Sequence, residues 1–258
     1  MRGLKQFLRS TQRGRLTGGG RGRCFRRIEE GSGPRARLGA PLSGLTKLIE
    51  QKLFSAGQLP YSATHGYDPG RWVGTSGRAR GSAVDAQLTR VVNRGAPASS
   101  ATFKLSQYVL AFLRQQKMAP VLCQRVVLNA RLRVATAIDM LCYEAATGSL
   151  WVVELKSGFA GDRNAPAVGP RGACMLRGPL SRVSDCLHTR HALQAVLSRQ
   201  LLVEEPELMD RLSTRFSITP EDVKVGVLYV NGHSVDLVEP DKWWLRAANK
   251  SLTSLRGI

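Results

Sequence analysis

Apolar residues recur at helical spacing through the first half of the chain. Ser43 is a candidate N-cap for a helix carrying Leu45, Leu48, Ile49 and Leu53 and ending near Gly57. Val84, Leu88, Val91 and Val92 mark a second helix over residues 82–93, and Leu105, Val109, Leu110, Phe112 and Leu113 a third over 103–117. The period then falls to two. Residues 125–136 and 137–143 alternate as strands do, 150–156 reads as a strand, and 223–230 and 234–238 flank Asn231-Gly232, a strong hairpin signal. A long helical pattern runs from about residue 180 to 203. Helices, strands, helix, strands predict an α/β (α+β) sandwich: a central mixed β-sheet flanked by helices.

The ends of this pattern set the domain boundaries. Residues 1–28 hold nine Arg or Lys and no acid, and the Gly, Pro and Arg content stays high to residue 38. Such a segment has too little apolar surface to offset the entropy of ordering, so residues 1–38 are expected to be flexible and 39–258 to form one domain. In the opening MRGLKQFLRS, Leu4, Phe7 and Leu8 share a helical face while Arg2, Lys5 and Arg9 lie elsewhere. That composition fits a mitochondrial presequence; a nonspecific nucleic-acid arm has the same look. The expected compartment is the mitochondrion, with the nucleus or another intracellular compartment as the alternative.

Charge points to the partner. Across 258 residues, 38 Lys and Arg stand against 19 Asp and Glu, a formal net charge of +19. A field of that sign draws in polyanions, nucleic acid first. The five cysteines are widely spaced with no CxxC pair, so neither a disulfide framework nor a zinc ribbon is indicated, and a reducing compartment fits best. No run of about 18 apolar residues predicts a membrane span, and no secretory h-region opens the chain.

The stretch ATAIDMLCYEAATGSLWVVELKSG, residues 135–158, carries the chemistry. Side chains alternate along a strand, so Glu154 and Lys156 share one face. A tight turn within residues 145–148 folds this strand back on its predecessor. Pairing about residues 146 and 147 sets Asp139 opposite Glu154; a turn centred one residue away sets it opposite Lys156. Either register gathers two carboxylates and an ammonium, since opposed Cβ atoms lie about 5 Å apart. Carboxylates this close in an apolar sheet repel and are costly to desolvate unless a cation joins them. Mg2+ (or Mn2+) suits the need: it takes hard oxygen ligands and is commonly held by one or two carboxylates with substrate phosphates. Such an ion polarises a phosphoryl oxygen and makes hydroxide accessible near neutral pH. Lys156 can orient or deprotonate the attacking water, if its surroundings lower its pKa, or offset charge on the phosphate. On a solvated strand face, the same Glu-x-Lys would be an ion pair worth about 0 to 1 kcal/mol.

IDML, then VVELKSG, then a later helix with a glutamine resembles the PD-(D/E)XK nuclease superfamily, closest to its exonuclease-like branch, which includes lambda exonuclease, RecB nuclease domains and the mitochondrial genome maintenance exonuclease. The resemblance covers roughly residues 80–235. It implies a restriction-endonuclease-like core, metal ligation by Asp139 and Glu154, and a Lys156 that serves the nucleophilic water. Gln194 matches the helix glutamine. Ile138 stands where the motif's name has proline, and Ser198 where the branch often has tyrosine. The branch also offers an acid or histidine from an early helix, a position that Asp85 fits. As a first-turn helix acid, Asp85 would equally be favoured by the helix dipole.

Two basic loops are expected to rim that site. One carries Arg71, Arg78 and Arg80; the other, residues 158–179, carries Arg163, Arg171 and Arg177. Contacts from such residues to phosphates are sequence-independent and salt-sensitive. Tyr67 and Trp72 fit stacking on unpaired bases, which brings in single-stranded DNA. His188 and His191 lie three apart on the helix of Gln194, but their spacing to Cys174 and Cys186 matches no structural zinc pattern. The expectation is a Mg2+-dependent deoxyribonuclease. Its rivals are a noncatalytic nucleic-acid-binding protein that keeps the fold and a metalloenzyme acting on small solutes.

Overall fold

The computed structural model describes residues 1–12, 14–17, 24–28, 38–59, 77–157, 162–232 and 234–254. The order is α1 (Arg2–Ser10), β1 (Gly14–Thr17), β2 (Cys24–Ile28), β3 (Leu38–Gly44), α2 (Leu45–Lys52), α3 (Gly77–Arg94), α4 (Lys104–Gln115), β4 (Met118–Asn129), β5 (Val134–Glu144), β6 (Ser149–Ser157), β7 (Val168–Gly169), β8 (Gly172–Ala173), α5 (Leu187–Val203), α6 (Pro206–Phe216), β9 (Val223–Val230), β10 (Val235–Val238) and α7 (Lys242–Ser254).

The fold is α/β with a mixed central sheet flanked by helices, as the order of patterns predicts. Strands run β1-β2-β3-β5-β6-β9-β10, with β4 on the other edge of β5. β5 and β6 form an antiparallel hairpin, β6 and β9 pair in parallel, and β9 and β10 form the hairpin around Asn231-Gly232. A parallel β6–β9 pair needs a crossover, which α5 and α6 supply.

Strict alternation along β6 splits the core. Leu150 and Val152 join α2, α5, α6 and α7 in one apolar cluster, while Trp151 and Val153 join α3 and α4 in the other. β9 follows suit, with Val225, Val227 and Tyr229 on the α5 side and Leu228 and Val230 on the α3 side. Glu154 and Lys156 continue the even positions and therefore stand under α5.

Several boundaries differ from the sequence reading. Gly44, not Ser43, is the N-cap of α2 and makes no side-chain cap bond. α3 begins at Gly77, so Arg78 and Arg80 lie on the helix and not in a loop before it. The break between β4 and β5 falls at residues 130–133, not after 136, because Asn129 Oδ1 accepts the Leu132 N–H at 2.9 Å and Arg133 takes a left-handed φ of 52°. The helical pattern over 180–203 becomes regular only at Leu187, and α6 and α7 have no counterpart in the predicted elements.

The largest difference is at the N-terminus. Arg2–Ser10 was expected to be flexible, yet it is a helix whose Leu4, Phe7 and Leu8 are buried. Phe7 packs on Phe216 of α6, with ring centroids 5.5 Å apart. Arg125 of β4, fully buried, reaches this helix: it donates to the Leu8 carbonyl, to Thr11 O at 3.1 Å and to Glu205 Oε2 at 3.3 Å. A short apolar face and one guanidinium that needs acceptors explain why so basic a segment folds. β1 and β2 then add an antiparallel pair to the sheet.

Candidate active site at the fork of two strands

The site exists because β5 and β6 part company. Their ladder runs from Glu144↔Ser149 to Met140↔Val153 and ends there, while β6 continues beside β9 to Ser157↔Val230. This is the register that faces Asp139 with Glu154. Instead of another ladder bond, the Asp139 carboxylate enters the gap, and Oδ2 accepts the Leu155 N–H at 2.9 Å. On the other edge of β5, Cys123 pairs with Met140 and Arg125 with Ile138, which sets Gln124 across from Asp139. Gln124 has φ 56° in the middle of a strand, a left-handed conformation that residues other than glycine seldom adopt. Its Nε2 donates to Asp139 Oδ1 at 3.4 Å. Both carboxylate oxygens of Asp139 are thus steered by neighbouring strands.

Glu154 is buried, and Lys156 Nζ lies 2.7 Å from its Oε1. The same ammonium donates to Gln194 Oε1 on α5 at 3.2 Å. Asp85 approaches from α3. Gly81, one turn earlier on that helix, abuts the end of β6, where a Cβ would sit 3.7 Å from Ser157 Oγ, and the Asp85 charge acts on both Asp139 and Lys156. Asp139, Glu154, Lys156 and Gln194 are therefore brought together, with Asp85 in electrostatic reach.

The group is short of positive charge. Burial pushes the Asp139 carboxyl well above the ordinary carboxylate range, and the charges of Glu154 and Asp85 push it further; Lys156 and the Leu155 N–H only partly oppose this. Burial alone would lower Lys156, but the charges of Glu154 and Asp139 outweigh it and raise the ammonium above its ordinary value. A water-deprotonating Lys156 requires a lowered pKa. The environment does the reverse, so the side chain is a cation at neutral pH and serves as a donor.

Among the described residues, no three His, Cys, Asp or Glu side chains gather closely enough to hold a metal ion. Two do suffice for an ion that completes its shell with water and phosphate oxygens. Asp139 and Glu154 fit that role: both offer hard oxygens, they face one another, and their repulsion is what a divalent cation would relieve.

The arginines divide. Arg163 lies at the site's edge, its Cζ 4.0 Å over the Tyr229 ring and its Nη2 2.9 Å from Asp236 Oδ2. Arg171 is exposed at the β7–β8 turn. Arg177 is directed elsewhere: it donates to the carbonyls of Phe54 and Glu50 and so fastens the end of α2. Arg80 is buried at 4% exposure, which removes it from the rim. The side chain of Arg78, and Tyr67, Arg71 and Trp72, lie outside the described residues.

The fold adds three residues to this neighbourhood: Gln124, His191 and Tyr229. Gln124 gave no signal, since its role follows from strand register. His191 lies three residues before Gln194 and hence on the same helix face, a spacing that was legible. Its Nδ1 is 3.2 Å from the Tyr229 hydroxyl, and Tyr229 is the β9 partner of Lys156. Burial, then the nearby charges of Lys156, His188, Arg163 and Arg190, hold His191 well below the usual histidine range, so it is neutral. Comparison with known proteins adds no assignment: no family model matches the chain, and no curated protein matches it significantly. No helix among the described residues is long and apolar enough to cross a membrane.

Proposed function

We propose that this chain is a divalent-metal-dependent nuclease of the PD-(D/E)XK type, with a restriction-endonuclease-like core, that hydrolyses phosphodiester bonds in DNA. One observation carries the reading: Asp139, Glu154 and Lys156 converge where β5 and β6 separate, under the helix that carries Gln194. A solvated ion pair would not be buried with a second carboxylate opposite it.

Asp139 and Glu154 would hold Mg2+ or Mn2+, with Asp85 adding negative charge behind them. A divalent cation there supplies charge that polarises a phosphoryl oxygen and eases deprotonation of water. Lys156, protonated, donates to the attacking water or to the phosphate oxygen on which charge develops. Gln194 accepts from Nζ and fixes the direction of that donor. Gln124 and the Leu155 N–H fix the Asp139 carboxylate. The net charge of +19 favours a polyanionic substrate.

The rival reading is a protein that binds nucleic acid without turnover. Carboxylates facing phosphate would weaken such a binder, which counts against it. Incubation of end-labelled single- and double-stranded DNA with Mg2+ or Mn2+, and with EDTA, separates the two. Fragments that appear only with metal, and not with Asp139→Ala or Lys156→Ala, support the nuclease; retained binding with no fragments in any metal supports the binder.

A further inference from the structure

Beside the acids, on the same α5 face of the sheet, cationic groups gather. Lys156 of β6, Tyr229 of β9 and Asp236 of β10 are successive partners across three strands. Tyr229 carries the Arg163 guanidinium 4.0 Å above its ring, and its hydroxyl meets His191 Nδ1 at 3.2 Å. The loop bearing Arg163 is tethered to α5, since the His188 N–H donates to Arg163 O at 2.9 Å. Facing this spot are the cationic or protonatable groups Lys156, Arg163, His188, His191 and Arg190, the last already paired with Asp185 at 2.6 Å. The acid opposing Arg163 is Asp236, itself 49% exposed.

We infer that Arg163, His191 and Tyr229 form a subsite for the phosphate next to the one hydrolysed. The inference rests on the nuclease reading for the word "next". Lys156 and Tyr229 sit on adjoining strands about 4.8 Å apart, so Arg163, over the Tyr229 ring, is within reach of the phosphate that neighbours one held at Lys156. There Arg163 offers a fork of donors suited to a phosphate oxyanion, with the buried Tyr229 ring as the platform beneath it and His191 holding the phenol in place. Asp236 holds Arg163 only through an exposed pair, a contact that a phosphate can replace.

DNA binding is measured in EDTA as a function of salt for the full chain, together with Mg2+-dependent cleavage of an oligonucleotide bearing a single uncharged methylphosphonate stepped along the strand. Arg163→Gln is expected to lower the salt slope by about one phosphate contact. Asp236→Asn, which frees Arg163 and removes a like charge, should tighten binding several-fold. In cleavage, a methylphosphonate flanking the cut on one side should slow the wild type about tenfold and slow Arg163→Gln or His191→Asn no further. If nothing is cleaved but the salt slope and the Asp236→Asn gain appear, the nuclease reading falls and the phosphate subsite stands. Cleavage with an unchanged salt slope in Arg163→Gln, weaker binding by Asp236→Asn, or a methylphosphonate penalty undiminished in both variants overturns the subsite and leaves the nuclease.

Discussion

Gln124 and Asp139 face each other across β4 and β5, and the amide reaches the carboxylate from a left-handed backbone, φ 56°. That backbone costs a non-glycine residue about 1–2 kcal/mol, and the residue sits opposite the acid on which the site depends. Glycine would relieve the strain at a chain-entropy cost of about 0.5–1 kcal/mol. Gln124→Gly should therefore leave denaturant stability within about 1 kcal/mol of wild type. With Asp139 Oδ1 released, Mn2+ affinity should fall several-fold. Unchanged Mn2+ affinity would show that Gln124 does not position the carboxylate.

The repulsion around Asp139 has a pH signature. Its folded pKa is raised, so the folded state binds a proton that the unfolded chain has already lost, and stability declines as pH rises from the ordinary carboxylate range through the folded value. Asp139→Asn removes this decline. In EDTA at neutral pH the variant should melt a few degrees higher, equivalent to about 1 kcal/mol, and the gap should close on acidification. Thermal melts of both proteins from pH 5 to 8 check it.

A cation held by Asp139 and Glu154 would have to displace that proton. Metal affinity is therefore expected to rise with pH, with net proton release on binding. Calorimetric Mg2+ titrations in buffers of different ionisation enthalpy measure the release directly. A heat independent of buffer would mean that Asp139 is already ionised.

Lys156 is expected to act by its charge and donors, because Glu154 and Asp139 keep it protonated. Lys156→Gln should slow cleavage by about 10²–10³-fold. Lys156→Arg, which keeps the charge, should retain more activity than Lys156→Gln. A lysine base would give the opposite sign: no rescue by arginine. Single-turnover rates at saturating Mg2+ distinguish the two.

The N-terminal helix is expected to be part of the folded unit. Deleting residues 1–12 would leave the Arg125 guanidinium buried beside Glu205 without the Leu8 and Thr11 carbonyls. Loss of partners from a buried charge costs about 3–5 kcal/mol. Adding Arg125→Met to the deletion should recover part of it. Chemical denaturation of the three proteins tests this, and a deletion with wild-type stability would refute it.

What could be read from the sequence followed from periodicity. Alternation along residues 150–156 put Glu154 and Lys156 on one face, and a turn within 145–148 brought Asp139 to them; the observed register is one of the two considered. Asn231-Gly232 marked its hairpin. What escaped depended on contacts between distant segments. Nothing local in Arg125 says that its partners lie on residues 8, 11 and 205, so the basic start read as unfolded. Arg177 looks like a phosphate ligand in sequence, yet the open carbonyls at the end of α2 claim it. The fork between β5 and β6, which creates room for Asp139, comes from β6 following β9 and is invisible in either strand alone.

The central claim is that Asp139 and Glu154 jointly grip a hard cation beside nucleic acid. Electron paramagnetic resonance counting of bound Mn2+, with uncleavable DNA present, measures this most directly. The expected result is Mn2+ uptake by the wild type that is lost in both Asp139→Asn and Glu154→Gln, while DNA binding persists. Equal Mn2+ uptake by the wild type and the two variants would contradict it.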